Sequence, residues 1–303
     1  MMSTNFPFKH LAEEVQFGYA SEASADLSPA LFSPADLLKW EQRETVHRKQ
    51  EFLLSRSALA TALHPHPLSI VYYKGKQPNH EAGHISLSHA KKVAIAAYSP
   101  TLELGVDVEE VRPQIGRIAH KFIRPDEEKY LTDLGTTHAQ QLLWGLKESL
   151  FKLFGSGNVD FKKHLHITSL HTGGNGEHWS GTAWIYATSA ARPEPIQCMV
   201  QGYFDGSHYY CLATHRKAMI PFNTQNLQLR QWTPKDAHWL FRLNNDPEVV
   251  KYTGDSGFSS EAKALELIQT YPNYQRDGYG RWMVTDHASD TPLGWCGLKK
   301  NPW

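Results

Sequence analysis

The order of its short apolar segments predicts an α+β protein: two similar α+β halves, each an antiparallel sheet with a long helix, and then a partial α/β piece. Three observations carry this prediction. Helical spacing of apolar residues over 33–63 and 138–154 marks two long helices. Short alternating or β-branched runs accompany each helix. A polar linker at 219–226 then precedes a fresh strand and helix order. At 303 residues and roughly 150 per domain, the length fits two compact units or three smaller ones.

Taken in order, Ser33-Pro34 and Asp36 open a helix to about Leu63, with Leu37, Trp40, Phe52, Leu53, Leu59 and Leu63 as apolar positions. Its polar positions are basic: Arg43, His47, Arg48, Lys49 and Arg56. They read equally as a solvated face or as a cluster for an anion. His64-Pro65-His66-Pro67 breaks the helix. Strands are expected at 68–73, 85–88 and 93–98, with the turn-forming 74–79 between the first two. After Ser99-Pro100 the order approximately repeats. A strand at 102–108 leads to helical segments at 115–134 and 138–154, then to strands at 165–170, 182–188 and 209–215. Gly173-Gly174-Asn175-Gly176 lies between strand-like runs with no Lys-Ser/Thr after it, so it reads as a hairpin turn rather than a phosphate loop. The last piece runs as a strand at 227–232, a helix opened by Thr233-Pro234 through Leu243, a helix at 260–269, and strands at 281–285 and 293–298. The expected domains are 1–99, 100–220 and 226–303.

Composition narrows the function. With 41% hydrophobic and 20% charged residues, the chain has a globular make-up. Its 31 Lys+Arg balance 31 Asp+Glu, so no global field holds a polyanion, and nucleic acid is not an expected partner. Any anionic ligand needs a local basic cluster. Cys198, Cys211 and Cys296 are odd in number and lack a Cys-x-x-Cys pattern, which argues against a disulfide framework or zinc knuckle. The first residues carry Glu13 and Glu14 without an apolar stretch, and the longest strongly apolar run, 93–98, is too short for a bilayer. A cytoplasmic protein with no membrane partner is the expectation.

Two segments carry chemistry. In Leu104-Gly105-Val106-Asp107-Val108-Glu109 the period of two sends Leu104, Val106 and Val108 one way and Asp107 with Glu109 the other. Carboxylates two apart on a strand sit about 7 Å apart at their roots and can converge on one hard cation. Two exposed acids at a strand end give the same pattern. In the helix at 142–154, a spacing of four puts Trp144, Glu148 and Lys152 on one stripe, with Leu143, Leu146, Leu150 and Leu153 as the apolar face. Glu148 and Lys152 fit an ordinary helix ion pair, and equally a place where a metal, a polyphosphate and a nucleophile meet.

Together, the Gly-Val-Asp-Val-Glu strand and, about forty residues later, the Trp-x-x-Lys-Glu-Ser-x-x-Lys helix resemble the 4′-phosphopantetheinyl transferase superfamily. The spacing from Asp107 to Glu148, with Lys76 and Ser88-His89 upstream, is most similar to its long, pseudo-dimeric, surfactin-synthetase-type branch. The likeness covers about residues 10–218.

The resemblance implies that Asp107, Glu109 and Glu148 bind Mg²⁺, which bridges to the pyrophosphate of coenzyme A as co-substrate. It implies that Lys147 and Lys152 contact phosphates or the pantetheine arm, with Lys152 also near the reacting oxygen. Lys76, Ser88 and His89 would hold the nucleotide end, and Arg56, Arg48 and Lys49 would help in that order. The implied activity moves phosphopantetheine to a serine of an apo acyl, peptidyl or aryl carrier protein and releases 3′,5′-ADP, with Glu148 as general base. Ala90 stands where family members often carry a second serine after the histidine, so one phosphate-contacting hydroxyl is missing. The remaining histidines, 17 in all with His89, show no ligand spacing and read as surface or packing residues, as Trp179, Trp184, Tyr186 and Phe161 read as core.

From Leu227, the runs 227–237, 245–249 and 293–298 resemble the first half of a GCN5-related N-acetyltransferase. The turn that holds the acetyl-coenzyme A pyrophosphate in that fold is not reached by Trp303, so no acetyltransferase activity is expected of this piece alone. Two other functions stay open: a non-catalytic scaffold for coenzyme A or a carrier protein, and an N-acetyltransferase.

Overall fold

The computed structural model describes residues 14–23, 33–66, 68, 71–72, 78–155, 158–173, 176–189, 194–216, 223–253, 257–271, 273–277 and 279–298. It divides into two compact units, Met1–His215 and Arg216–Trp303.

The first unit runs β1 (Gln16–Ser21), α1 (Pro34–Glu41), α2 (Val46–Leu63), β2 (Val71–Tyr72), β3 (Pro78–Asn79), β4 (His84–Ala90), β5 (Val93–Ser99) and β6 (Leu102–Glu110). It continues through α3 (Lys129–Leu134), α4 (Thr136–Phe154), α5 (Phe161–His164), β7 (Leu165–Gly173), β8 (His178–Ile185), β9 (Ile196–Phe204) and β10 (His208–Arg216). One sheet has the order β1-β5-β4 and a second the order β6-β10-β9-β8-β7. The register is antiparallel for β1 with β5, β4 with β5, and β7 through β10. The protein is therefore α+β with antiparallel sheets, as the sequence predicts.

Each sheet carries one long helix, and a glycine lets each helix sit down on it. A Cβ at Gly18 of β1 would fall 1.8 Å from the Ala58 carbonyl oxygen of α2, and one at Gly105 of β6 would fall 2.0 Å from the Ser149 carbonyl oxygen of α4. Only glycine permits such backbone approach. Under α2, Leu54, Ala58, Leu59 and Leu63 pack on Ala94, Ala96 and Tyr98 of β5. The other face of β5 meets β6 and β10 through Ile95, Ala97, Leu104, Val106, Val108 and Leu212, which joins the two sheets. The largest core lies between α4 and β7–β10 and includes Leu142, Leu146, Leu150, Ile167, Ala183 and Val200.

Several expectations need correction. The helix expected over 33–63 is two: α1 is capped by the Ser33 hydroxyl and α2 by Thr45, whose side chains accept the Asp36 and Arg48 N–H groups. The helix expected at 115–134 is a series of short 3₁₀ turns, Pro113–Arg117, Ala119–Lys121 and Pro125–Glu127, before α3. Gly116 and Pro125 interrupt it, while buried Ile115, Ala119, Phe122 and Ile123 keep a helix-like spacing. β8 starts and ends earlier than the 182–188 expected, and β1 and β9 were not foreseen. The strand expected at 68–73 is described as a strand only at β2. The strands flanking the Gly173–Gly176 run pair antiparallel with Gly173 opposite His178, as a hairpin requires.

The second unit holds β11 (Leu227–Arg230), α6 (Ala237–Asn245), α7 (Pro247–Thr253), α8 (Glu261–Thr270), α9 (Asn273–Asp277), β12 (Arg281–Asp286) and β13 (Pro292–Gly297). Its sheet is antiparallel in the order β11-β12-β13. Asp236 grips Arg230 with both oxygens at 2.7 and 2.9 Å and accepts the Thr233 N–H, which fixes the turn into α6. The short helices α7 and α9 were not foreseen. No helix among the described residues is long and apolar enough to cross a membrane.

Candidate active site

The site grows from the alternation of β6. Leu104, Val106 and Val108 enter the core between the sheets, so Asp107 turns the other way, to the face where α4 crosses at Gly105. Asp107 is almost fully buried. Its Oδ1 accepts hydrogen bonds from Ser88 Oγ of β4 at 2.9 Å and Lys152 Nζ of α4 at 2.7 Å. Lys152 Nζ also donates to Ser88 Oγ at 2.8 Å. Asp107 Oδ2 is buried with no hydrogen-bond partner. Glu109, two residues on, accepts the Trp144 indole N–H at 3.2 Å on Oε1, and its Oε2 lies 2.9 Å from Arg112.

One stripe of α4 thus supplies Trp144 to Glu109 and Lys152 to Asp107, with Glu148 between them. Burial, then the charges of Asp107 and Glu109, push the Glu148 carboxyl up to about 7, against the pull of Lys152. Burial and Asp107 likewise raise Glu109, while Arg112, the Trp144 N–H and Lys152 oppose the shift. Three carboxylates against two cations, Lys152 and Arg112, leave the site short of positive charge. Among the described residues no three His, Cys, Asp or Glu side chains stand as a ready-made metal cluster. Lys152 holds Asp107 and Arg112 holds Glu109 instead. Two observations nevertheless fit a hard divalent cation: the orphaned Asp107 Oδ2, and an all-oxygen donor set whose mutual repulsion such an ion relieves.

The structure separates other residues from this group. Lys147 is fully buried, and its Nζ donates to Glu127 Oε2 at 2.7 Å and to the carbonyls of Phe122 and Phe161, so it is not available to a phosphate. Burial lowers Lys147 and raises Glu127, and the attraction between them opposes both shifts. Arg56 is also buried, paired with Asp36 at 2.8 Å and packed over the Phe52 ring, rather than presented to a ligand. His89 follows Ser88 on β4 and therefore points to the opposite face, where it lies 3.5 Å from Glu51 of α2. Arg48 is exposed and lines a cavity of about 330 Å³ with Lys39, Gln42, Arg43 and Glu44. Lys49 instead lies over the Trp40 ring. Lys76 lies outside the described residues.

Sequence reasoning missed Glu127, Asp36, Lys39 and Arg112. For Arg112 a signal existed, since it follows Glu109 by three residues. Trp179 and Trp184 are buried, as expected of core residues.

Comparison with known proteins finds one family match within each of the two units. Residues 103–196, which contain Asp107, Glu109, Glu148 and Lys152, match the family model of the 4′-phosphopantetheinyl transferase superfamily. Residues 226–303 match that of the acetyltransferase (GNAT) domain. One curated relative is the uncharacterized N-acetyltransferase p20 of Bacillus licheniformis, 30% identical over 76 residues, which are 25% of this chain. The chain spans 43% of that relative's length.

Proposed function

We infer that the first unit is a Mg²⁺-dependent 4′-phosphopantetheinyl transferase, which modifies a serine of an apo acyl, peptidyl or aryl carrier protein. The observation that carries this reading is the carboxylate group of Asp107, Glu109 and Glu148 against Lys152, inside the segment that matches the family.

In the reaction, the serine oxygen bonds to the β-phosphorus of coenzyme A, and the phosphorus–oxygen bond to 3′,5′-ADP breaks. Glu148 takes the serine proton. A carboxylate raised to about 7 is better matched to that task near neutral pH than an ordinary glutamate. Lys152 holds Asp107 and Ser88 together and places a positive charge beside the pyrophosphate as negative charge builds on the leaving group. Asp107, Glu109 and Glu148 would hold the metal, which when bound supplies Lewis-acid stabilisation of the phosphates.

The nucleotide end has less support. Ser88 is occupied by Asp107 and Lys152, so its part is to orient that pair; among the described residues of the set Arg48 is exposed and available to an anion.

A second reading, N-acetyl transfer, draws on the match over 226–303. One experiment separates the two. The full chain is incubated with coenzyme A, Mg²⁺ and apo carriers, and in parallel with acetyl-coenzyme A and a peptide amine. A phosphopantetheine-sized mass gain on a carrier is expected. No gain on any of several carriers, from folded protein, sinks the lead reading, and acetylation of the amine promotes the second. Tight coenzyme A binding without any transfer supports a silent scaffold.

A further inference from the structure

The first unit places an aromatic clamp between its fully buried ion pair and its acidic site. Lys147 Nζ donates to the Phe122 and Phe161 carbonyl oxygens as well as to Glu127. The rings of those same two residues flank Trp144. Phe122 meets it edge-on with centroids 5.2 Å apart, and Phe161 stacks on it at 5.5 Å. The indole held between them donates its N–H to Glu109 Oε1. At the far end, Glu127 accepts the N–H groups of Arg124 and Ile167 at 2.9 and 2.8 Å, which anchors the pair to the 3₁₀ turn and to β7.

We propose that the Lys147–Glu127 pair is a positioning device for Glu109, acting through Phe122, Phe161 and the Trp144 indole. The physical need is specific. Glu109 and Asp107 lie near enough to repel, and the other tether on Glu109, Arg112 at 2.9 Å, is itself more than half exposed, so without the indole the carboxylate is held only by a solvated cation. One indole N–H fixes one oxygen, but a half-buried tryptophan holds its rotamer only if its neighbours do. Lys147 fixes the backbone of both neighbours at once. Trp144 and Lys147, three apart on α4, lie on adjoining stripes, which lets the same two phenylalanines touch both. A charged pair between fixed carbonyls resists displacement more than apolar packing does. Lys147 then serves the site without touching any ligand: it is a positioning residue, and the inference rests on the reading of Glu109 as a metal-holding carboxylate.

Two measurements on the full chain test it. In ¹⁵N-labelled protein the Trp144 indole proton is assigned by its loss in Trp144→Phe. In the double variant Lys147→Met with Glu127→Gln, which leaves no unpaired buried charge, that proton is expected to exchange with solvent about tenfold faster or more. Phe122→Leu, which keeps the carbonyl and removes one ring, shifts exchange in the same direction. Mn²⁺ affinity, read from the electron paramagnetic resonance signal of free ion, is expected to fall about 10- to 100-fold in Trp144→Phe and in the double variant. Unchanged indole exchange in Phe122→Leu and in a folded double variant overturns the proposal. Mn²⁺ affinity in Trp144→Phe equal to that of a wild type that binds the ion also overturns it. A wild-type protein that takes up no Mn²⁺ overturns the metal reading instead, and the exchange rates alone then decide the positioning.

Discussion

Lys147→Met is the substitution on which the family resemblance and the structure disagree most sharply. If Lys147 contacts a phosphate, the change leaves stability alone and weakens coenzyme A binding. The structure predicts the reverse emphasis. Lys147 and Glu127 are both 0% exposed and 2.7 Å apart. Removing one partner strands the other, a change that costs about 3–5 kcal/mol. For a unit of this size that corresponds to a fall of about 6–20 °C in melting temperature, at about 2–4 °C per kcal/mol. Adding Glu127→Gln removes the stranded charge and is expected to recover most of the loss. The pH dependence has a definite sign. Burial already raises Glu127, and loss of Lys147 raises it further. A carboxyl whose folded pKa exceeds its unfolded value, about 4.3, favours the protonated fold, so stability is lost as pH rises through that window. The deficit of Lys147→Met should therefore shrink as pH falls from 7 toward 5. Calorimetric unfolding of the wild type, the single variant and the double variant at both pH values gives the answer. A Lys147→Met protein that melts with the wild type at pH 7 refutes the reasoning.

Asp36→Asn, which removes the carboxylate charge paired with buried Arg56, should cost up to about 3–5 kcal/mol by the same logic, read by denaturant unfolding; wild-type stability would return Arg56 to the list of available cations. Gly105→Ala must push α4 off β6, because its Cβ would meet the Ser149 carbonyl oxygen at 2.0 Å. It should lower both the melting temperature and transfer activity, whereas Gly294→Ala, with nothing within 4 Å, should do neither. Mg²⁺ should raise the melting temperature more at pH 8 than at pH 5.5. The folded pKa of Glu148, about 7, lies above its unfolded value, so without a cation stability falls as pH rises through that range. An equal Mg²⁺ effect at the two pH values would argue against these carboxylates as the cation site.

Asp107 and the α4 stripe were legible because each depends on local periodicity. A period of two on β6 and of four on α4 orients side chains whatever the rest of the chain does. Lys147 was misread because its motif outweighed its position. It lies four residues from Leu143, three from Leu150 and seven from Phe154, on the buried face of α4, where the Glu127 carboxylate 20 residues away and the Phe122 and Phe161 carbonyls keep it. Arg56 hides in the same way behind Asp36, also 20 residues distant. Pairings of that range leave no mark in local spacing. The turns at 113–127 show the converse. Their buried residues recur at helical intervals, yet prolines and a glycine set the backbone. β9 escaped because Gln197, Gln201 and Gly202 dilute its apolar run, although alternate positions are buried.

The most direct test follows label from coenzyme A to carrier. With coenzyme A labelled in its pantetheine arm, Mg²⁺ and an apo carrier, the wild type should transfer label to the carrier serine and release one 3′,5′-ADP per modified carrier. Glu148→Gln should fold and melt no lower than the wild type, since it removes a carboxylate that burial and its neighbours destabilise, yet transfer nothing. A Glu148→Gln protein that turns over at the wild-type rate would contradict the account.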